Sequence, residues 1–152
     1  MENWQIQLIL IGKIAFGMLL GGVIGWEREL SDKPAGFRTH MLIAGSTSFF
    51  VGLAYLLTVE YQAFLPEGTF RPDPIRILQA VVIGVSFIGA GTIFQARDKK
   101  VEGLTTAATI LFVAGVGMAC GLGYYILAVC TTLLGLLVLR FILRFEKRVV
   151  KR

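Results

Sequence analysis

The side chains with the widest chemical range in this sequence gather where apolar stretches begin and end. Glu27-Arg28-Glu29 closes one such stretch, and Arg38-Thr39 opens the next. The C-terminal end of a helix carries partial negative charge, so carboxylates there need a cation nearby. Gly17, Gly21 and Gly25 are spaced four apart, and the same step leads on to Glu29. At least one of these carboxylates is therefore expected inside a packed interface, with Arg38 as its partner in a bidentate pair. Two readings stand open. One is a headgroup-level salt bridge that fixes register. The other is an ion or partner site on the cytoplasmic side.

A second group lies further on. Asp73-Pro74 has the form of a helix start, with Asp as N-cap and Pro at the first helical position. Arg76 is disfavoured near a helix N-terminus and is expected to pair with Asp73. Gln79 is expected to need a hydrogen-bond partner inside the bundle. Thr105, Thr106 and Thr109 form a hydroxyl cluster that can bond backbone carbonyls or link helices. Lys13 is the one ionised group well inside an apolar stretch, and either snorkels to the surface or acts as a buried cation. His40 reads as a satisfied polar contact. No nucleophile stands beside a base, so no catalytic residues are assigned and an enzyme is not expected. Cys120 and Cys130 read as two buried thiols packing as small hydrophobes. With no CxxC and no His/Cys cluster, no metal ligands and no cofactor are expected.

The elements that must position these groups follow from hydropathy. The chain has 152 residues, 55% of them hydrophobic, and a mean hydropathy of +0.73. Stretches of about 20 residues without an ionised group are long enough to cross an apolar layer of about 30 Å. The expected fold is all-α: one polytopic domain over residues 1–152, a bundle of five transmembrane helices at about 6–26, 39–59, 74–94, 104–122 and 124–143. The first is read as a retained span, because no basic region precedes it. No charge separates the last two. A single helix over both would be about 60 Å long, so the break is placed at Gly121 and Gly123.

Charge fixes an orientation. The net charge is +5. Two loops and the tail on one side hold Arg28, Lys33 and Arg38, then Arg97, Lys99 and Lys100, then the run from Arg140 to Arg152. The other side holds Arg71 and Arg76. The positive-inside rule puts the N-terminus out and the C-terminus in. Basic residues at helix ends are accounted for by orientation and anionic headgroups, so no nucleic-acid partner is expected. All ten acidic residues fall in loops, tails or helix ends, which disfavours a cation path through a monomer.

Within lipid, helices associate through small residues that let backbones approach. Gly17, Gly21 and Gly25, then Gly84, Gly89 and Gly91, then Gly117 and Gly121 predict that spans one, three and four form the packed centre. Span five, mostly Leu, Val, Ile and Phe, is expected to face lipid. An order of residues from Ile24-Gly25 to Ala44-Gly45 is echoed from Ile88-Gly89 to Ala114-Gly115, two hairpins for which duplication and chance both stand open.

These residues also resemble a known family. Gly25-Trp26-Glu27-Arg28-Glu29 followed by Lys33-Pro34-Ala35-Gly36-Phe37-Arg38-Thr39-His40 is similar to the signature of the MgtC/SapB family of bacterial inner-membrane proteins. Asp73-Pro74-Ile75-Arg76-Ile77, Gly84 with Phe87-Ile88-Gly89-Ala90-Gly91, and Gly103 to Thr109 extend the resemblance in order, over about residues 10 to 130. It implies a multi-pass protein of the bacterial inner membrane linked to magnesium limitation, acid tolerance and intracellular survival. For the namesake member it implies inhibition of the F-type ATP synthase by contact within the membrane. It implies neither an enzyme nor a direct magnesium transporter. Longer members carry a cytoplasmic domain after the spans, and this chain resembles the short, SapB-like form.

Together these readings give a non-enzymatic regulator of ion or proton homeostasis. Its expected partners are the bilayer, another membrane protein such as the ATP synthase, and further copies of itself. The alternative is a small oligomeric ion transporter or channel with its charged groups near the mouths.

Overall fold

The computed structural model describes residues 3–64, 73–95 and 101–142. They form α1 (Asn3–Leu30), α2 (Phe37–Phe64), α3 (Pro74–Ala90), α4 (Leu104–Leu122) and α5 (Tyr125–Leu137), with a π-helical turn at Val138–Ile142. A two-residue antiparallel ladder, β1 (Phe94–Gln95) with β2 (Val101–Glu102), links α3 to α4 in the register Phe94 to Glu102 and Gln95 to Val101. Three segments, Trp4–Leu30, Phe37–Tyr61 and Leu104–Leu122, are long and apolar enough to cross a membrane, and α3 and α5 are shorter apolar helices. The chain is thus an all-α, multi-pass membrane protein.

α1 outlasts the hydropathy signal, continuing from Trp26 to Leu30. Backbone bonding explains the extension. Lys33 N–H donates to the Arg28 carbonyl and Asp32 N–H to the Glu29 carbonyl, each at 3.1 Å. Asp32 sits between them in the left-handed region at φ 51°. This crossed pair closes the last turn as a Schellman motif. The α4–α5 turn repeats it. Tyr124 N–H reaches the Ala119 carbonyl at 2.8 Å and Gly123 N–H the Cys120 carbonyl at 2.9 Å, with Gly123 at φ 86°. The break between the last two helices therefore falls at the glycines, as the length argument required.

The packed centre differs from expectation. α2, not α3, joins α1 and α4. A Cβ built at Gly21 would stand 2.7 Å from the Ala44 Cβ, and one at Gly121 2.6 Å from the Ser48 carbonyl oxygen. One at Gly117 would fall on the Ala44 carbonyl, and one at Gly17 would lie 3.3 Å from it. Ile24, Ala44, Ile110, Val113 and Ala114 are fully buried in this seam. Of the α3 glycines, a Cβ at Gly89 would touch Ala107 at 3.5 Å or more. At Gly84 it would meet nothing within 4 Å, and at Gly91 only its own helix. α5 buries Ala128, Thr132 and Gly135 and exposes Leu133, Leu134 and Leu137. Cys120 is buried, whereas Cys130, expected inside, lies exposed on the outer side of α5. Arg71, the Arg97–Lys100 run and the tail from Arg144, which carry much of the charge asymmetry, lie outside the described residues.

Candidate functional site

The α1–α2 junction gathers the first motif. Gly25 lets the helices meet: a Cβ there would stand 2.8 Å from the Phe37 Cα. Trp26 packs edge-on against Phe37, with centroids 5.8 Å apart at 84°. Glu29 Oε2 accepts the Phe37 N–H at 2.8 Å, so α1 supplies the anion that satisfies the first turn of α2. Gly36 makes room for it, since a Cβ there would lie 2.7 Å from that oxygen. These residues hold the junction's shape.

Three others are not used up this way. Arg28 and Glu27 are only 1% and 4% exposed, and His40 is fully buried. Ser31 donates to Glu27 Oε1 at 3.0 Å. His40 Nδ1 lies 2.9 Å from the Gly36 carbonyl oxygen. A carbonyl only accepts, so Nδ1 carries a proton. Among the described residues, Glu27 Oε2, Arg28 Nε and Nη2, and His40 Nε2 are buried with no hydrogen-bond partner. Nε and Nη2 form one edge of the guanidinium, the edge that holds an oxyanion in two parallel bonds. Each unmet buried group costs about 1–3 kcal/mol, more when charged. Four of the five buried side-chain atoms without a hydrogen-bond partner among the described residues belong to these three side chains.

The sequence expectations fare unevenly here. The buried carboxylate is Glu27, not the Glu29 of the glycine row. Arg38 is exposed and forms no ion pair with Glu29; Thr39 is half-buried. Among the described residues the one ion pair is Arg76 Nε to Asp73 Oδ2, at 4.0 Å and exposed. Asp73 Oδ1 also accepts from Ile75 N–H at 3.1 Å and Arg76 N–H at 3.3 Å, the N-cap that its sequence suggested. Gln79 faces outward rather than into the bundle. Thr105 is exposed and Thr106 buried, and Thr109 donates to the Thr106 carbonyl at 2.8 Å. Asp73, Arg76 and Gln79 sit at the N-terminal half of α3, apart from the α1–α2 junction.

Three buried polar groups differ from the sequence reading or were absent from it. His40 has an unmet nitrogen rather than a satisfied ring. Thr47 Oγ1 lies 3.1 Å from both the Ala44 and the Ala114 carbonyls, joining α2 to α4. Ser48 is fully buried with its hydroxyl unpartnered. The row His40, Ala44, Ser48, Gly52 at steps of four was the available signal. Lys13 is tied to the bundle rather than free. Its Nζ donates to the Gly121 carbonyl at 3.1 Å, at the negative end of α4, and lies 5.9 Å from the Tyr55 ring centroid. No three His, Cys, Asp or Glu side chains gather among the described residues.

Two apolar grooves mark the outer surface. One, of about 660 Å³, runs between α2 and α3 past Ile43, Phe50, Ile77, Val81 and Gly84, with Arg76 at one end. The other, of about 460 Å³, lies among α1, α2 and the end of the α5 segment, with Trp26 and Arg140 on its wall.

The chain matches the MgtC family over residues 14–148. It is 42% identical to YhiD of Escherichia coli K12, a candidate magnesium transporter by name, over 78% of this chain and 53% of that protein. It is 36% identical to Protein SapB of Bacillus subtilis, over 81% and 52%. It is 36% identical to Protein MgtC of Salmonella typhimurium, over 88% and 52%. The chain therefore spans about half the length of the curated relatives it matches, and SapB, expected to be a short form, is about as long as the others. No solved structure matches it. The junction motif and the α3 cap fall within the matched region, and the chain belongs to the MgtC family.

Proposed function

We propose that this chain is a non-enzymatic protein of the bacterial inner membrane that regulates magnesium or proton homeostasis by contact with another membrane protein. Family membership and the names of its relatives support the ion assignment. The open face of α3 carries the contact assignment. Ile83 and Phe87 are 71% and 83% exposed, and Gly84 between them offers bare backbone to a neighbour. Lipid gives apolar helices no reason to associate, but close backbone approach does. A membrane subunit of the F-type ATP synthase is the partner that the family resemblance suggests. In this reading all five helices cross the bilayer, with the N-terminus out and the C-terminus in. The test is a photo-crosslinking residue at Ile83 in native membranes. A reproducible protein partner that disappears with Gly84→Leu is expected. Recovery of lipid adducts alone would end the reading.

The buried Glu27–Arg28–His40 cluster favours a second reading, a small oligomeric transporter. The glycine contacts that close the α1–α2–α4 seam argue against a path through one copy, so conduction would run between copies. Magnesium or proton flux into liposomes holding the purified protein discriminates. Flux above empty liposomes, lost in Arg28→Gln, would favour it over the first.

A further inference from the structure

We propose that the groove among α1, α2 and the α5 segment is a binding site for one acyl chain of an anionic phospholipid, with its phosphate held by Arg140. The wall is made of Met18, Met41, Phe37 and Leu136, with Trp26 and Arg140 on its margin. Its volume of about 460 Å³ lies within the range of about 300–1,000 Å³ usual for small-ligand sites. Unbranched Met side chains fit a flexible chain, because they adapt to irregular space.

The chemistry of the margin selects the headgroup. Arg140 is the one ionised residue lining the groove, is exposed, and has no ion pair among the described residues. Trp26 is 57% exposed and held edge-on by Phe37, the amphipathic ring that favours the membrane–water boundary. Arg140 stands in the π-helical turn, a local geometry common at functional positions. The contrast with the α2–α3 groove separates the occupants. There Gly84 is bare and admits a helix backbone. Here the nearest glycine, Gly22, is covered: a Cβ on it would meet Met41 and Phe37, each at 3.0 Å. A thin chain fits such a surface better than a helix does.

One basic residue near the surface attracts an anionic lipid by about fivefold. Native mass spectrometry of the full chain, equilibrated with phosphatidylglycerol or phosphatidylcholine of matched acyl chains, should therefore show about fivefold more retained phosphatidylglycerol. Arg140→Gln should bring that ratio close to one, Arg140→Lys should keep most of it, and Arg76→Gln should leave it unchanged. An unchanged ratio in Arg140→Gln, or an equal loss in Arg76→Gln, would overturn the site. So would an efficient Leu136→Cys disulfide between two copies, which would make the occupant a second chain.

Discussion

The α1–α2 hairpin and the α3–α4 hairpin are built from similar glycine-rich sequence and packed to different ends. In the first, Gly21 and Gly25 bring α1 against the α2 backbone, Glu29 caps the facing helix, and a short turn joins them. In the second, a two-residue ladder makes the link, Asp73 caps its own helix, and Gly84 faces outward. The comparison teaches that a small residue on a helix face allows close approach but does not set the identity of what approaches. In α1 the approaching backbone belongs to this chain. In α3, Gly89 meets α4 of this chain while Gly84 meets nothing within 4 Å.

The contrast breaks most sharply at Gly117. Gly117→Val forces a side chain onto the Ala44 carbonyl and should cost about 3 kcal/mol, read as a lower unfolding temperature in detergent. The two caps come next. Glu29→Ala removes a charged acceptor that ties α2 to α1 and should cost about 2 kcal/mol. Asp73→Ala loses a local cap and should cost about 1 kcal/mol. Equal losses in the same unfolding assay would show that the first hairpin is no more interdependent than the second. Asp32 offers a finer probe. Asp32→Gly keeps the left-handed turn and should change stability by less than about 0.5 kcal/mol. Asp32→Val meets steric strain there and should cost about 1–2 kcal/mol. Smallest of all, Gly84→Leu should alter stability by less than about 0.5 kcal/mol while abolishing any cross-link at Ile83. A large destabilisation would mean that α3 is part of the packed centre after all.

Much of this was legible in the residues. Helix number and the Gly123 break followed from length against bilayer thickness, and the Asp73-Pro74 start from cap chemistry. The α1 end was misplaced because hydropathy stops at Trp26, whereas the helix stops where Asp32 turns left-handed. α2 was missed at the centre because its small face is His40, Ala44, Ser48 and Gly52, only one of them glycine. The junction was readable as a polar cluster but not in its roles. Which carboxylate turns inward depends on the rotation of α1 against α2, and that is set by Gly25 meeting Phe37, a three-dimensional contact.

The helices also differ in height. α1 and α2, at 28 residues each, run about 42 Å, whereas α3, at 17 residues, runs about 25 Å. Against a hydrocarbon layer of about 30 Å, α1 and α2 exceed the span and α3 falls short of it. In the proposed five-span arrangement lipids beside α3 would compress, and that local thinning would be relieved when a similarly short neighbour shares the deformed patch. Mismatch would then draw partners to the same flank where Gly84 lies bare. Reconstitution across lipids of increasing chain length tests this: association through α3 should strengthen as the bilayer thickens, and independence of thickness would exclude it.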